Sequence, residues 1–197
     1  MMKQLTVLLA FLTAAACPLL AQDYDKGTSL IESGDYIAAV EVWIPLAESG
    51  HKQAQRALGL MFNEGFVEVD KAKAAKWFRM AAEQGDDYSQ YELAELHRWG
   101  TGVVQDYAEA LKWYFASAKQ GYKVAQDRLG YMYKEHSDNP KSKLLAHMWY
   151  NIAAANGGHD SGRLRDQIAS SMTNADISKA QAMARECMES GYTKCGY

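Results

Sequence analysis

The chain has 197 residues, of which 48% are hydrophobic and 23% charged, and its formal net charge is −3. This is the composition of a folded globular domain, and it does not fit a disordered chain, a collagen-like chain or a multi-disulfide scaffold. The 21 basic and 24 acidic side chains form no basic stripe, so the sequence argues against nucleic acid as a partner.

Residues 1–21 have the pattern of a secretory signal peptide. Lys3 precedes an uncharged, largely apolar run from Leu5 to Ala16, which is shorter than the roughly 20 residues of a membrane-spanning helix. We expect cleavage after Ala21, or alternatively after Ala16, and no transmembrane span elsewhere. The sequence therefore predicts an exported protein, located in the periplasm or, as the alternative, outside the cell.

Cys17 leaves a second alternative open. A run of small residues before a cysteine resembles a bacterial lipoprotein cleavage site, but Ala14 stands where leucine is usual. A lipid anchor at Cys17 is therefore the less favoured alternative to a discarded signal peptide.

The rest of the chain contains an internal repeat with a period near 36 residues. Candidate helix N-caps recur at spacings of 35, 36 and 36, and each is followed 15 residues later by a glycine that can end the helix in a left-handed conformation. The N-cap candidates are Asp35, Asp70, Asp106 and Ser142, and the glycines are Gly50, Gly85, Gly121 and Gly157. Between them, alanine and aromatic columns four residues apart lie on one helix face. These columns hold Ala39, Ala74, Ala110 and Ala146, then Trp43, Phe78, Tyr114 and Tyr150.

A second helix is predicted after each of these glycines. Its buried face is marked by three further columns, which also recur with the repeat. They hold Ala54, Ser89, Ala125 and Ser161, then Leu58, Leu93, Leu129 and Arg165, then Met61, Leu96, Met132 and Ile168. Strand-like alternation is absent, so the sequence predicts an all-α chain of helix pairs, each of which buries its apolar face against its neighbours.

The ends of the repeat array are expected to be irregular. Pro45 should kink or split the first repeat helix, and Arg165 stands where the last repeat should have leucine. Residues 24–33 are predicted to form a short leading helix. Thr173 with Asp176 should start a last amphipathic helix that caps the stack.

Two cysteines follow in this C-terminal part. Cys187 and Cys195 are eight residues apart with a glycine between them, so in an oxidising compartment they can form a disulfide that closes a small loop. Such a bridge would fasten the tail to the last helix. Two unpaired buried thiols are the alternative.

The repeat resembles the sel-1-like repeat family, a relative of the tetratricopeptide repeat. The family pattern contains Ala-x-x-x-Leu-Gly-x-x-Tyr, Gly-x-Gly-Val-x-x-Asp, Ala-x-x-Trp and Ala-Ala-x-x-Gly. The matching residues here are Ala125, Leu129, Gly130 and Tyr133, then Gly100, Gly102, Val103 and Asp106, then Ala74, Trp77, Ala81, Ala82 and Gly85. Together with the signal-like residues 1–21 and the length of the chain, the resemblance predicts an exported bacterial family member with a single domain over 22–197. It implies a right-handed α-solenoid of stacked antiparallel helix pairs, with repeats over about 35–166 and a C-terminal cap over 173–197.

The resemblance also implies a function. Such proteins are non-catalytic scaffolds or adaptors, so we expect binding of a protein or peptide in the bacterial cell envelope, without a cofactor or metal. In the related tetratricopeptide arrangement, each pair begins with the helix that holds the leucine column here, and this first helix lines the concave face and binds the partner. The side chains expected on that face, including the tyrosines and arginines typical of binding hot spots, are Arg56, Tyr88, Tyr91, Arg98, Tyr131 and Lys134.

An enzyme is the alternative that the residues leave open. Ser49 and Lys52 form Ser-x-x-Lys, and Ser137 begins Ser-Asp-Asn, which together are similar to motifs of penicillin-recognising enzymes. No Lys-Thr-Gly follows and no sheet is predicted, so we expect no enzyme. A hydrolase or binder acting on a cell-wall or β-lactam-like substrate is the first alternative function, and a secreted effector that binds a host protein is the second. The five histidines are not spaced as metal ligands.

Overall fold

A computed structural model describes residues 23–135 and 139–195, which form helices joined by short loops, without a strand among them. The predicted signal peptide, Cys17, Ser137 and Asp138 lie outside the described residues. Helix α1 covers residues 23–32. The others are α2 (Tyr36–Glu48), α3 (Lys52–Glu64), α4 (Lys71–Glu83), α5 (Asp87–Trp99), α6 (Tyr107–Ala118), α7 (Lys123–Glu135), α8 (Pro140–Ala155), α9 (Ser161–Ala169) and α10 (Asn174–Glu189).

The chain divides into two compact units, one ending at Gln84 and the other beginning at Gly85. In the first unit, α3 packs against α2 and α4. In the second unit, α6 packs against α5 and α7, and α8 packs against α7, α9 and α10. The single domain expected over 22–197 stays a prediction.

The predicted helix boundaries are confirmed for the first three repeats. The side chains of Asp35, Asp70 and Asp106 each accept a hydrogen bond from a backbone N–H two or three residues later, at 2.9 to 3.1 Å. The four glycines that recur with the repeat all have left-handed φ angles, between 79° and 97°. Each glycine therefore ends a helix and turns the chain into the next one.

The predicted N-cap of α8 is wrong, and so is the prediction that Pro45 splits α2. The N-cap of α8 is Asn139 rather than Ser142, since the Asn139 side chain accepts from the Lys141 N–H at 2.9 Å and Pro140 supplies a preformed first helical residue. Pro45 does not split α2, which is continuous. The hydrogen bond that this proline removes lies near the exposed C-terminal end of the helix, where its loss is tolerated.

The alanine and aromatic columns form the core, as the repeat pattern predicts. The alanines at 39, 74, 110 and 146 are all fully buried. Two aromatic rings also lie directly on a glycine of the preceding helix. A Cβ atom added to Gly59 would lie 2.5 Å from the Phe78 ring, and one added to Gly130 would lie 2.7 Å from the Tyr150 ring. These contacts explain the glycines, because a methyl group there would overlap the ring.

A column of buried glutamines, which the sequence patterns above do not include, recurs with the same repeat. Each glutamine accepts a hydrogen bond from an amide side chain about 30 residues later. The pairs are Gln55 with Gln84, Gln90 with Gln120, and Gln126 with Asn156, at 2.7 to 2.9 Å. Gln55 and Gln126 also donate to main-chain carbonyls of the preceding helix. Because buried amides without partners are costly, these bonds fix the position of each turn.

The C-terminal helix is capped as predicted. The Thr173 hydroxyl accepts from the Asp176 N–H at 3.1 Å, and the buried face of α10 packs against α8. The sulfur atoms of Cys187 and Cys195 lie 2.03 Å apart, which is the distance of a disulfide bond. The bridge ties the segment after α10 to the helix itself.

Candidate protein-binding surface

The structure places the six predicted binding residues in both units. Arg56 lies half-buried on α3 of the first unit. The other five lie in the second unit, with Tyr88, Tyr91 and Arg98 on α5, and Tyr131 and Lys134 on α7. Contacts between α5 and α7 bring residues of these two helices onto one surface. We call this the α5–α7 surface and define it as Tyr88, Tyr91, Glu95, Arg98, Trp99, Arg128, Tyr131, Lys134 and Glu135.

Arg98 is the most buried of the predicted binding residues, with 7% of its surface exposed. Its guanidinium carbon lies 4.6 Å from the ring centroid of Trp99 and 4.7 Å from that of Tyr131, and a nitrogen lies 3.9 Å from a Glu135 oxygen. A cation between two aromatic faces attracts both rings, so Arg98 holds Trp99 and Tyr131 in place. Trp99 and Tyr131 are 62% and 36% exposed, so solvent reaches these two side chains rather than the charged group of Arg98.

Glu95 connects α5 to its neighbours. Its carboxylate accepts hydrogen bonds from the Tyr114 hydroxyl at 2.5 Å, from Nε of Arg128 at 3.0 Å and from the indole nitrogen of Trp99 at 3.0 Å. The side chains of Glu95 and Arg128 are 19% and 36% exposed, so water screens their ion pair only in part. Glu95 therefore sets the direction of both the Trp99 ring and the Arg128 guanidinium.

Tyrosines form the other end of the surface. The ring centroid of Tyr91 lies 6.4 Å from that of Tyr88 and 5.4 Å from that of Tyr122. Burial, together with the nearby negative charge of Glu95, raises the pKa of Tyr91 to about 12. Burial and the same carboxylate raise the pKa of Tyr114 still further. The Tyr114 hydroxyl therefore remains protonated and donates to Glu95.

Several side-chain contacts between repeats share a separation of 33 residues. They join Glu95 to Arg128, Arg98 to Tyr131 and Lys134 to Gln167. The sequence did not predict Arg128 or Glu135 as members of the surface. The sequence contains a signal for these contacts, since the partners in each pair lie 33 residues apart along the chain. This separation is about one helical turn shorter than the 36-residue repeat, because each residue contacts a position one turn earlier in the equivalent helix of the following repeat.

Ser49 of the Ser-x-x-Lys motif lies at the end of a helix. The Ser49 hydroxyl donates to the Leu46 carbonyl oxygen at 2.7 Å, at the end of α2. Within 23–135 and 139–195, no three His, Cys, Asp or Glu side chains are grouped to hold a metal. In the same part of the chain, every helix is too short or too polar to cross a membrane.

The Sel1 repeat family model matches residues 52–86, 87–122 and 123–158, which together make up more than half of the chain. The chain belongs to the Sel1 repeat family. Sel1 repeats commonly serve as scaffolds for protein–protein interaction and are generally non-catalytic. The matched segments coincide with the helix pairs α3–α4, α5–α6 and α7–α8.

Two solved structures are similar over most of this Sel1 repeat chain. One is a protective antigen of uropathogenic Escherichia coli strains that displays an SLR fold. It is 29% identical, with a TM-score of 0.66, and the match covers 93% of this chain and 44% of that one. The other is a Sel1 repeat protein from Oxalobacter formigenes, 24% identical with a TM-score of 0.60, covering 85% of this chain and 76% of that one. The fold is therefore the predicted all-α solenoid of antiparallel helix pairs.

A curated relative matches a shorter stretch. The DAP3-binding cell death enhancer 1 of Rattus norvegicus is 35% identical over 68 residues, or 34% of this chain. The chain spans only 13% of that protein's length.

Proposed function

We propose that this Sel1 repeat protein is a non-catalytic scaffold or adaptor that binds a protein or peptide through the α5–α7 surface. The observation that carries the proposal is the pair of exposed rings, Trp99 and Tyr131, both of which contact the guanidinium of buried Arg98. Large aromatic side chains that are already fixed lose little conformational freedom on binding, which favours affinity.

The chemistry of the surface fits an uncharged stretch of polypeptide. The charges of Arg98 and Arg128 are balanced by neighbouring Glu135 and Glu95, so the centre of the surface carries little net charge. The rings offer stacking area, and the Tyr91 hydroxyl offers a neutral donor for a backbone carbonyl. This combination favours an extended segment with an apolar or aromatic side chain over a phosphate or a nucleic acid.

The proposed orientation of the surface rests on the tetratricopeptide arrangement. Helices α5 and α7 are first helices of their pairs, which in that arrangement line the concave side. This supports the proposal that the binding face is the concave one. Arg56, on the equivalent helix α3, stays a predicted binding residue of the first unit by itself.

We also propose that the protein works in the bacterial cell envelope, with the periplasm as its compartment. The signal-like residues 1–21 and the Cys187–Cys195 bridge support this, because disulfides persist in oxidising compartments. Osmotic-shock fractionation tests it: the protein should appear in the periplasmic fraction, and recovery in the cytoplasm would contradict the proposal.

Photo-crosslinking tests the binding surface. Benzoylphenylalanine replaces Tyr131 in one variant and Tyr107 in a matched control, since Tyr107 is also exposed but lies on α6 outside the surface. In an envelope extract, position 131 should yield specific adducts that mass spectrometry identifies, and position 107 should not. Adding Trp99→Ala should abolish these adducts while helicity by circular dichroism is unchanged. Equal adducts from both positions, or adducts that survive Trp99→Ala, would contradict the assignment.

A further inference from the structure

The first unit contains an open cavity of about 450 Å³ that is made of different residues from the α5–α7 surface. It lies where α2, the end of α3, the α3–α4 loop and the start of α4 meet. Its apolar lining comes from α2, α3 and the loop and consists of Ile37, Val40, Phe62, Val67 and Val69, whereas α4 contributes Lys73. The volume is within the range of roughly 300 to 1,000 Å³ that is typical of ligand pockets.

Two of the lining side chains are unusually exposed for their type. Ile37 is 69% exposed and Val69 is 55% exposed, although both are aliphatic and β-branched. Nearby in sequence, the rings of Tyr36 and Phe66 contact each other in a tilted arrangement at 5.3 Å between centroids, joining the start of α2 to the loop. The cavity wall is therefore built by packing between two elements, and its apolar side chains remain open to a partner.

The rim of the cavity is negatively charged. Lys73 pairs with Asp70 at 3.2 Å and lies 5.3 Å from the ring centroid of Phe62. Hydrogen bonds from the backbone N–H and side chain of Lys73 lower the pKa of Asp70, so this carboxylate stays ionised and balances the lysine. Glu41 and Glu68 also line the cavity, and neither forms an ion pair with another described residue. Two negative charges at the rim are thus left uncompensated.

We propose that this cavity binds a linear segment of a partner protein in which a large apolar side chain is flanked by lysine or arginine. The apolar side chain would cover Ile37 and Val69, and the flanking cations would pair with Glu41 and Glu68. The apolar side chain matches the apolar lining of the cavity, and its burial supplies affinity. The flanking cations match the acidic rim, and this complementary charge supplies selectivity and raises the association rate. An acidic segment with the same apolar core would meet repulsion from the rim.

Fluorescence polarisation with labelled synthetic heptapeptides tests the proposal on the purified protein. The probe has a Leu-Phe-Leu core with two lysines on each side, and a comparison peptide has glutamates in place of the lysines. The lysine peptide should bind at low ionic strength and the glutamate peptide should not. The double change Glu41→Gln with Glu68→Gln should weaken binding about fivefold. The matched control is Glu48→Gln with Glu83→Gln, which makes the same charge change at exposed positions outside the cavity and should leave affinity unchanged.

A second pair of variants tests the apolar part. Ile37→Ser should weaken binding of the lysine peptide, because it removes an exposed methyl-rich wall of the cavity without touching the core. Val104→Ser, at a position that is 85% exposed in the second unit, should have no effect. Circular dichroism of both variants should match that of the parent, since both side chains are largely in solvent.

Other occupants of the cavity would appear as distinct results. Equal binding of the lysine and glutamate peptides, or equal affinity of the two double variants, overturns the proposal. A dimer in sedimentation that Ile37→Ser dissociates would also overturn it, because the cavity would then be covered by a second copy. The same holds if a peptide of residues 1–22 binds the cavity more tightly than the lysine probe, since the occupant would be the chain's own segment.

Discussion

Tyr114 and Glu95 give a sharp test of how the α5–α7 surface is built. Tyr114 is fully buried, and its hydroxyl donates to the Glu95 carboxylate at 2.5 Å. We predict that Tyr114→Phe destabilises the parent protein but has a much smaller effect once Glu95 is alanine. The reason is that the hydroxyl is stabilising only while its charged acceptor is present, whereas a buried donor without an acceptor is a cost.

The size of the effect follows from the environment of the pair. A hydrogen bond to a charged group contributes roughly 1.5 to 3 kcal/mol, so we expect Tyr114→Phe to lower the free energy of unfolding of the parent by about 2 kcal/mol. In the Glu95→Ala background the same change should cost less than about 1 kcal/mol or be stabilising. The coupling between the two positions should therefore be about 1 to 2 kcal/mol, in the range found for residues in contact.

Urea unfolding followed by circular dichroism measures all four proteins of this cycle. Tyr107→Phe is the control, since Tyr107 is 51% exposed and its loss of a hydroxyl should change stability little in either background. If Tyr114→Phe has the same cost with and without Glu95, the carboxylate does not organise the buried hydroxyl. The description of Glu95 as the centre of the surface would then be wrong.

Two further predictions concern the second unit. Gly130→Ala should destabilise the protein by about 1 to 3 kcal/mol, because the added methyl would overlap the Tyr150 ring. The control is Gly162→Ala, which should be neutral or slightly stabilising because nothing lies within 4 Å of its added methyl. Thermal unfolding compares the two variants, and equal effects on stability would contradict the close contact at Gly130. Burial, assisted by the positive charge of Arg165, lowers the pKa of His147 from its ordinary 6.5. The unfolded chain then binds this proton more readily, so the free energy of unfolding should fall as the pH drops from 6.5 towards the lowered pKa. His147→Gln should flatten that fall in urea titrations, and an unchanged slope would contradict it.

The sequence was sufficient for the helix pairs because their determinants are local. An N-cap carboxylate such as Asp70, a left-handed glycine such as Gly85 and an alanine–aromatic column act within one helix or one turn. Their spacing therefore predicts where helices start, stop and bury a face. Ser142 is the exception, because an equally local signal three residues earlier, Asn139 before a proline, forms the cap instead.

The chemistry of the surface was less predictable because it depends on contacts between repeats. Helical periodicity places Arg98 on the outer face of α5, which predicts an exposed charge. Arg98 is instead buried, and its guanidinium contacts the ring of Tyr131, 33 residues later in the following repeat. No pattern within a single repeat contains this information.

The same contacts decide what a partner would meet. Since Arg98 is sandwiched and Glu95 is shared by Arg128 and Trp99, a substitution on α7 would reorient Trp99 on α5 without changing the sequence of α5. Related proteins could thus alter their binding surface through the following repeat while keeping every core column. If the proposed surface binds a partner, a swap of Arg128 for an uncharged residue should change partner capture more than it changes stability, because the ion pair that it breaks is partly exposed while the freed Glu95 carboxylate also positions the exposed Trp99 ring.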